Sequence, residues 1–397
     1  MGGAEDQGPI APPGVVGIIG GGQLGRMSAL AARAMGYRVV VLEPKTPCAC
    51  GPVADEQIAA AYDDPGGLER LFSIADVVTF EFENVPKAPL EAFARRKPVR
   101  PSPEILSVAQ NRRREKEFLA GRGFPVAPFR VIESAADAEA AAGGGVAFPA
   151  ILKTADFGYD GKGQVVVGKA GDLAAAWAGF GGGGAVLEEK IDFRAEYSVI
   201  VARGPSGAIA TYPLCRNIHR NHILDVTFSP VPPGEADAAA ADAICRGLAE
   251  ALGLEGVLAV ELFLGGDGRW IINEMAPRPH NSGHFSIDGS DTSQFENHIR
   301  AVCGQPLGSP EPRAFSVMQN LLGEELNAAG AALAETVLSV PGAHLHLYDK
   351  GEARAGRKMG HVTICRADAG GLPGALADLR AKLGLPPPGA DERRGRS

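Results

Sequence analysis

The stretch VLAVELFLGGDGRWIINEMAPRPHNSGH, residues 257–284, decides the predicted fold. It contains two apolar runs separated by Gly-Gly-Asp-Gly at 265–268, which is a strong signal for a β-hairpin. A turn centred on those four residues pairs Leu264 with Arg269 across the two predicted strands. The segment is therefore predicted to form a hairpin that runs into a polar loop.

Two glutamates of this hairpin form a candidate metal site. The same register pairs Glu261 with Ile272. Because side chains alternate along a strand, Glu274 is predicted on the face that carries Glu261, Phe263, Trp270 and Ile272. Two carboxylates close together on a mostly apolar face repel each other unless a cation lies between them. Hard oxygen ligands suit Mg²⁺, which usually bridges substrate phosphates. We therefore predict a magnesium site; the simpler alternative is a glutamate solvated at a sheet edge.

A glycine-rich loop upstream indicates phosphate binding. Lys153 ends an apolar strand, and GYDGKGQ follows at 158–164. Backbone N–H groups of such a loop can fold over phosphates, with lysines as point charges. The spacing is not that of a P-loop, and alone the segment could be a flexible β-turn. Together with the acidic hairpin, the glycine-rich loop is interpreted as half of an ATP-binding site. The segment Glu-Glu-Lys-Ile at 188–191 could face adenine and ribose, or it could simply end a strand.

The N-terminal region alternates strands and helices, which implies a parallel α/β domain. The strand VVGII at 15–19 runs into Gly20-x-Gly22-x-x-Gly25, and Glu43 ends the next strand, which satisfies the dinucleotide fingerprint. The same glycines also serve a tight strand-to-helix turn. A substrate-facing turn is the favoured interpretation, and an NAD-dependent oxidoreductase is the remote alternative.

Basic residues cluster near the C-terminus of an otherwise acidic chain. Four cations occur among nine residues, 350–358. They form either a solvated turn or a phosphate-binding cluster for an anionic substrate. The His-x-x-His pair at 219–222 and the His-x3-His pair at 280–284 resemble zinc spacings, but a third soft ligand is missing, so zinc is disfavoured.

Composition limits the classes of protein. At 397 residues, two or three domains are expected. Apolar residues make up 45%, and no apolar run approaches the roughly 20 residues of a membrane span. A net charge of −8 gives no indication of a nucleic-acid partner. Six cysteines without a Cys-x-x-Cys pair predict a reduced, cytoplasmic setting, and the Gly/Pro-rich residues 1–13 are interpreted as a lead-in and not a secretion signal.

Taken in order, these motifs resemble the ATP-grasp superfamily, and within it the N5-carboxyaminoimidazole ribonucleotide synthetases of purine biosynthesis. The resemblance runs from Val15 to about Thr363 and is strongest in GQLGRM (22–27), GYDGKGQ (158–164), NEMAPRPHNSGH (273–284) and HLHLYDK (344–350). It implies an α/β, ATP-grasp fold. The expected parts are a Rossmann-like parallel-sheet domain (14–107), an ATP-grasp domain (108–312, lid about 125–195), a small β-rich domain (313–385) and a flexible tail (386–397).

The resemblance also implies a reaction. ATP, bicarbonate and 5-aminoimidazole ribonucleotide give the N5-carboxylated ribonucleotide, ADP and phosphate, through carboxyphosphate or CO₂ released from it. Two Mg²⁺ ions, a closing glycine loop and a cytoplasmic homodimer are expected. A formate-dependent glycinamide ribonucleotide transformylase shares the architecture and is the nearest alternative.

Site residues follow from the resemblance by motif. The ATP-binding residues are Arg112, Lys153, Gly158, Tyr159, Asp160, Gly161, Lys162, Gly163, Gln164, Glu188, Glu189, Lys190, Ile191, Glu196, His219, Asn273 and Glu274. The catalytic residues are Tyr159, Asp160, Arg278, His280, Asn281 and Ser282. The substrate-binding residues are Gln23, Leu24, Glu81, Asn281, Lys350, Arg357 and Lys358, and the metal ligands are Glu261 and Glu274. Among Arg112, Arg113 and Arg114, the register from Lys116 to Pro125 favours Arg112 as the ATP contact. These arginines belong to a basic helix that is predicted from about Ser107 to Gly121.

Overall fold

The structure is a computed structural model that describes residues 8–156 and 163–389. The predicted lid residues 158–162, including Tyr159 and Asp160, lie outside the described residues, as does most of the predicted tail. Contacts divide the described residues into two compact units. Of the described residues, unit 1 contains 8–103, 198–259 and 276–389, and unit 2 contains 104–156, 163–197 and 260–275. The predicted domain boundaries stay a prediction.

The N-terminal part of unit 1 is a parallel α/β layer. Its elements are β1 (Val15–Ile19), α1 (Gln23–Ala34), β2 (Arg38–Leu42), β3 (Glu56–Ile58), α2 (Pro65–Ile74), β4 (Val77–Phe80) and α3 (Lys87–Ala94). The four strands are parallel in the order β3-β2-β1-β4. β1 and β4 are buried along their whole length, as expected for a sheet covered on both faces. This confirms the predicted Rossmann-like sheet.

Unit 2 contains a second, antiparallel sheet. The elements from residue 103 onward are α4 (Pro103–Ala109), α5 (Arg112–Gly121), β5 (Phe129–Ile132), α6 (Ala135–Ala142), β6 (Ala150–Thr154), β7 (Gln164–Val167), α7 (Leu173–Gly179) and β8 (Ala185–Glu189). The strands follow the order β5-β8-β6-β7. Its core includes Ile132, Leu152, Leu187 and Leu173.

The basic helix expected over 107–121 is two helices. α4 ends at Ala109, and Asn111 then takes an extended backbone conformation and caps α5, its side chain accepting from the Arg114 N–H. An asparagine at this position satisfies an amide that would otherwise lack a partner at a helix start. The predicted extent of this helix was therefore wrong, and α5 begins at Arg112.

The rest of the chain builds the hairpin and a larger antiparallel sheet. The elements are β9 (Phe193–Arg203), β10 (Ile209–Thr211), β11 (Cys215–Arg220), β12 (Ile223–Ser229), α8 (Ala238–Ala251), β13 (Gly256–Gly265), β14 (Trp270–Ala276), α9 (Ser286–Gly289), α10 (Gln294–Val302), β15 (Phe315–Leu322), α11 (Gly323–Ala329), α12 (Leu333–Leu338), β16 (Ala343–Leu347), β17 (Lys358–Arg366) and α13 (Leu372–Lys382). Within unit 1, antiparallel pairing runs β11-β12-β15-β17-β16. Helices α12 and α13 pack on this sheet through Val337, Leu376 and Leu379.

The hairpin forms, but its predicted register was wrong by one residue. The Gly268 N–H donates to the Gly265 carbonyl, and the Gly265 N–H donates to the Arg269 carbonyl. Gly265 therefore pairs with Arg269 around a three-residue loop, and Gly268 takes the left-handed conformation (φ 83°) that closes such a loop. The sequence could not distinguish three loop residues from four, because three of the four candidates are glycine.

The shifted register changes which side chains share a face. Trp270 and Ile272 are buried, whereas Glu261 and Phe263 are half-buried, so the predicted grouping of all four on one face was wrong. Alternation then breaks at Asn273 and Glu274, which are both half-buried. The placement of Glu261 and Glu274 as a pair stays a prediction.

Candidate active site

A buried cluster of charges in unit 2 surrounds Glu188. Lys153 lies on β6 and Glu188 on the neighbouring strand β8, and their Nζ and Oε2 atoms are 3.1 Å apart. Lys116 of α5 approaches the same oxygen at 3.3 Å. All three side chains are less than a tenth exposed. Two cations on one carboxylate leave a net positive charge, which suits a polyphosphate.

Helix α5 also contacts the end of the hairpin. The Lys116 ammonium donates to the Asn273 carbonyl at 2.9 Å, and the Glu115 carboxylate accepts the Met275 N–H at 2.7 Å. Arg112, one turn earlier on the helix, reaches Glu274 with an Nη1–Oε2 distance of 3.2 Å. The arginine favoured from the sequence therefore is the one that lies beside the predicted metal ligand. Glu274 keeps 43% of its side chain exposed, which leaves its carboxylate accessible to a cation.

Burial shifts the titration of this cluster. It lowers the pKa of Lys153, although Glu188 opposes the shift. Burial alone would raise the pKa of Glu188, but Lys116 and Lys153 outweigh it and hold that pKa below its usual value. Glu188 is therefore ionised, and its Oε1 atom is buried with no hydrogen-bond partner among the described residues. A buried charged oxygen in that state fits a site completed by a ligand.

The other predicted nucleotide residues are distributed over both units. Gly163 has φ 71° and precedes Gln164, which pairs with Lys153 across β6 and β7. Glu189 ends β8, and Lys190 and Ile191 form the short connection to β9. Glu196 is half-buried on β9, and His219 is half-buried on β11, in unit 1.

In unit 1, the glycine turn after β1 is occupied by the chain's own carboxylates. The Gly21 N–H donates to Glu43 at 2.9 Å, and the N–H groups of Gly22 and Gly25 both donate to Glu81. Burial raises the pKa of Glu81, and these two backbone donors oppose the shift. A dinucleotide pyrophosphate would need the same N–H groups. The turn therefore argues against the NAD alternative.

Predicted substrate residues meet beside this turn. The Lys350 ammonium donates to the Gln23 side-chain oxygen at 2.9 Å and to the Lys358 carbonyl at 3.0 Å. Leu24 packs against the buried cluster of Met27, Phe295 and Tyr348. Arg357 instead donates to the Glu352 carbonyl within its own loop, at 3.0 Å. Gln23, Lys350 and Lys358 thus come together, whereas Arg357 is held at the loop.

The polar loop after β14 is also in unit 1. Arg278 pairs with Glu83 at 2.8 Å, and the Nδ1 atom of His280 lies 2.9 Å from the Ser282 hydroxyl. Asn281 is buried, and neither atom of its side-chain amide has a hydrogen-bond partner among the described residues. An orphaned buried amide beside a positioned imidazole fits a small polar ligand.

Several side chains that hold these sites were not predicted from the sequence. Glu83 carried a usable signal, because it follows Glu81 by two residues directly after a strand. Glu115 and Lys116 carried none, since all of residues 112–117 are charged and no apolar pattern marks the buried face. Sequence alone did not single out Gln294 either, a fully buried amide on α10 that bonds to the backbone of His280.

Comparison with known families agrees with this geometry. The chain matches the ribonucleotide synthetase preATP-grasp domain over residues 14–110, the ATP-grasp domain over 117–295, and the phosphoribosylaminoimidazole carboxylase C-terminal domain over 316–372. Its class is therefore that of the ATP-grasp ligases, and the predicted ATP-grasp fold is confirmed.

Two similar proteins identify the family within the ATP-grasp ligases. The chain is 42% identical over 361 residues to an N5-carboxyaminoimidazole ribonucleotide synthase of Bacillus subtilis, covering 90% of this chain and 93% of that protein. A Brucella melitensis protein of the same name is 43% identical, covering 90% and 98%. The chain belongs to the N5-carboxyaminoimidazole ribonucleotide synthase family, which confirms the predicted resemblance and the ligase class.

Solved structures of this family also match the fold of the chain. The Staphylococcus aureus N5-carboxyaminoimidazole synthetase complexed with ADP superposes with a TM-score of 0.88 at 37% identity, covering 96% of this chain and all of that one. The Aspergillus clavatus enzyme in complex with ADP and 5-aminoimidazole ribonucleotide gives a TM-score of 0.85 at 30% identity, covering 93% of this chain and 98% of that one.

Among the described residues, none of the helices has the length and apolar character needed to cross a membrane.

Proposed function

We propose that this chain carboxylates 5-aminoimidazole ribonucleotide at its exocyclic nitrogen, consuming ATP and bicarbonate and releasing ADP and phosphate. The observation that carries the proposal is the buried pair of lysines, Lys153 and Lys116, on the ionised Glu188. It supports polyphosphate binding in a chain whose relative from A. clavatus is described in complex with ADP and 5-aminoimidazole ribonucleotide. Purine synthesis in the cytoplasm by a homodimer belongs to the same proposal.

The chemistry requires activation of bicarbonate, which is a poor electrophile. Transfer of the terminal phosphoryl group of ATP to a bicarbonate oxygen gives carboxyphosphate and ADP. The exocyclic amine then attacks the carboxyl carbon, directly or after CO₂ has formed, so that the C–N bond forms, phosphate leaves and the amine loses a proton. Lys153, Lys116 and Arg112 offset the charge of the phosphates throughout.

Two sets of unit 1 residues serve the carboxylation half of the reaction. Lys350 and Lys358, with Arg357 from the adjoining loop, bind the 5′-phosphate of the ribonucleotide, and Gln23 and Glu81 contact its imidazole end. The bicarbonate-derived group is bound by Arg278, His280, Asn281 and Ser282. Tyr159 and Asp160, outside the described residues, are proposed for the same pocket.

Glu261 and Glu274 are the proposed metal ligands. Their carboxylates would hold Mg²⁺, which would spread the charge of the transferring phosphoryl group. Glu274 fits this role because 43% of its side chain is exposed, so its carboxylate stays accessible to a cation beside Arg112. We expect Glu274→Gln to abolish ATP turnover in a folded protein, whereas Glu250→Gln on the exposed face of α8 should leave turnover unchanged. Normal turnover in Glu274→Gln would refute the metal assignment.

The decisive experiment measures ADP release with alternative co-substrates. We expect release to depend on bicarbonate and to be stimulated by 5-aminoimidazole ribonucleotide, with no stimulation by formate plus glycinamide ribonucleotide. The opposite pattern would establish a transformylase-like ligase instead. Carbon-13 bicarbonate, followed into the product by NMR, identifies the bond that forms.

A further inference from the structure

The backbone at His280 is held by a buried side chain from another element. Gln294, the first residue of α10, is fully buried. Its Oε1 atom accepts the His280 N–H at 2.9 Å, and its Nε2 atom donates to the His280 carbonyl at 2.7 Å. Both backbone groups of His280 are therefore fixed, and only its ring torsions remain to be set.

The ring of His280 is oriented by Ser282. The backbone nitrogen of Ser282 lies 3.3 Å from His280 Nδ1, and the Ser282 hydroxyl lies 2.9 Å from the same atom. A backbone amide can only donate, so Nδ1 must be the acceptor and carries no proton. In a neutral imidazole the proton is then on Nε2.

This one assignment fixes the direction of a whole chain of hydrogen bonds. The Ser282 hydroxyl must donate to Nδ1, so its oxygen accepts from the Ser198 hydroxyl at 2.8 Å. Ser198 has then used its proton and accepts from the Asn217 side-chain amide at 2.9 Å. The amide oxygen of Asn217 in turn accepts from the Thr227 hydroxyl at 2.9 Å.

The chain is isolated from water. Thr227, Ser198 and Ser282 are fully buried, and Asn217 is 6% exposed. Every donor in it points towards His280, and the three members between Thr227 and His280 are each partnered on both sides. Reversing the order would set the Ser282 N–H against a second N–H on the ring, which is unfavourable in a buried setting.

We propose that this hydroxyl–amide chain, Thr227–Asn217–Ser198–Ser282, positions His280 as the Nε2–H tautomer. The inference rests on the proposed function, in which His280 faces the bicarbonate-derived group. His280 then donates a hydrogen bond from Nε2 to an oxygen of that group, and the proton lost by the attacking amine goes to another acceptor. Ser198, Asn217 and Thr227 are positioning residues.

The test is a nitrogen NMR spectrum of the full chain labelled with ¹⁵N-histidine, with the His280 signals assigned by their loss in His280→Gln. We expect an unprotonated Nδ1 and a protonated Nε2 in the wild type. In Ser198→Ala the Ser282 hydroxyl loses the donor that fixes its direction, and it can then accept from a protonated Nδ1. Only the long 3.3 Å contact with the Ser282 N–H still opposes a proton on Nδ1, so a minor population of the Nδ1–H tautomer should appear beside the Nε2–H form. The kcat should fall about three- to tenfold, the ratio expected for one hydrogen bond, while the KM for ATP stays unchanged.

Ser316→Ala is the matched control, because Ser316 is also a fully buried serine of unit 1 and its hydroxyl contacts the Ala314 carbonyl and the Cys365 thiol, which lie outside the chain. It should change neither the spectrum nor the kcat. A wild-type spectrum with a protonated Nδ1, or equal effects of the two variants, would overturn the proposal. If Ser198→Ala does not fold, Thr227→Val makes the same test from the far end of the chain. Absence of bicarbonate-dependent turnover in the wild type would refute the proposed function alone, since the spectrum is read without turnover.

Discussion

At the scale of single residues, Glu115 is the side chain whose burial has the clearest measurable consequence. It is 3% exposed and accepts the Met275 N–H. Burial raises its pKa from 4.5 to about 7, against the opposing charge of Lys116. The folded protein therefore binds this proton more tightly than the unfolded chain does. The associated stability is complete below pH 4.5 and is lost as the pH rises through 7.

Glu115→Gln should remove this pH dependence. The amide keeps an acceptor for the Met275 N–H and has no charge to bury. Relative to the wild type, the variant should gain about 1–3 kcal/mol of unfolding free energy between pH 5 and pH 8. Urea unfolding at both pH values measures the gain, and Glu117→Gln, exposed on the same helix, should stay within about 0.5 kcal/mol. A constant difference between Glu115→Gln and wild type would contradict the assignment.

The same residues show what the sequence could establish at this scale. Lys153 was found because it ends an apolar strand, and Glu274 because it ends a hairpin strand. Lys116 and Glu115 were not found, because burial of a charged residue depends on partners that come from distant strands. Lys116 and Lys153 come within ion-pair distance of Glu188 only when β6, β8 and α5 pack together.

At the scale of elements, the presence of a strand was predicted better than the register or the ends of an element. β1, β2 and β4 follow from apolar runs that a covered parallel sheet requires. The hairpin register and the start of α5 were wrong, since each depends on one local hydrogen bond that several neighbouring residues could make. Pairing between β12, β15 and β17 brings together strands far apart in sequence, which no local pattern indicates.

A buried ion pair joins helix α13 to this sheet in addition to their apolar packing. Arg380 donates to Asp225 of β12 at 2.9 Å, and both side chains are at most 3% exposed. Arg380→Met leaves the Asp225 charge buried without its partner and should cost about 3–5 kcal/mol of unfolding free energy. Lys382→Met, exposed on the same helix, is the control and should cost little. Adding Asp225→Asn to Arg380→Met should recover part of the loss, and failure to do so would show that packing and not charge is responsible.

At the scale of the whole molecule, the two groups of proposed ligand residues belong to different units. Lys153, Lys116 and Glu188 are in unit 2, whereas Gln23, Lys350 and Arg357 are in unit 1. A net charge of −8 gives neither group a general attraction for anions, so each must bind its phosphate through local cations. Substitutions in one group should therefore affect one ligand and not the other.

Calorimetric titration of two variants tests this separation. Lys153→Met removes one cation from the unit 2 cluster but leaves Glu188 paired with Lys116, so the protein should fold and bind ADP about ten- to a hundredfold more weakly, with unchanged affinity for 5-aminoimidazole ribonucleotide. Arg357→Ala should weaken the binding of 5-aminoimidazole ribonucleotide and leave the affinity for ADP unchanged. Arg354→Ala is its matched control, because Arg354 lies in the same loop, is exposed and pairs with the Glu352 carboxylate. Equal loss of both ligands in Arg357→Ala would argue against the phosphate cluster, because a cation that binds only the ribonucleotide cannot weaken ADP to the same extent.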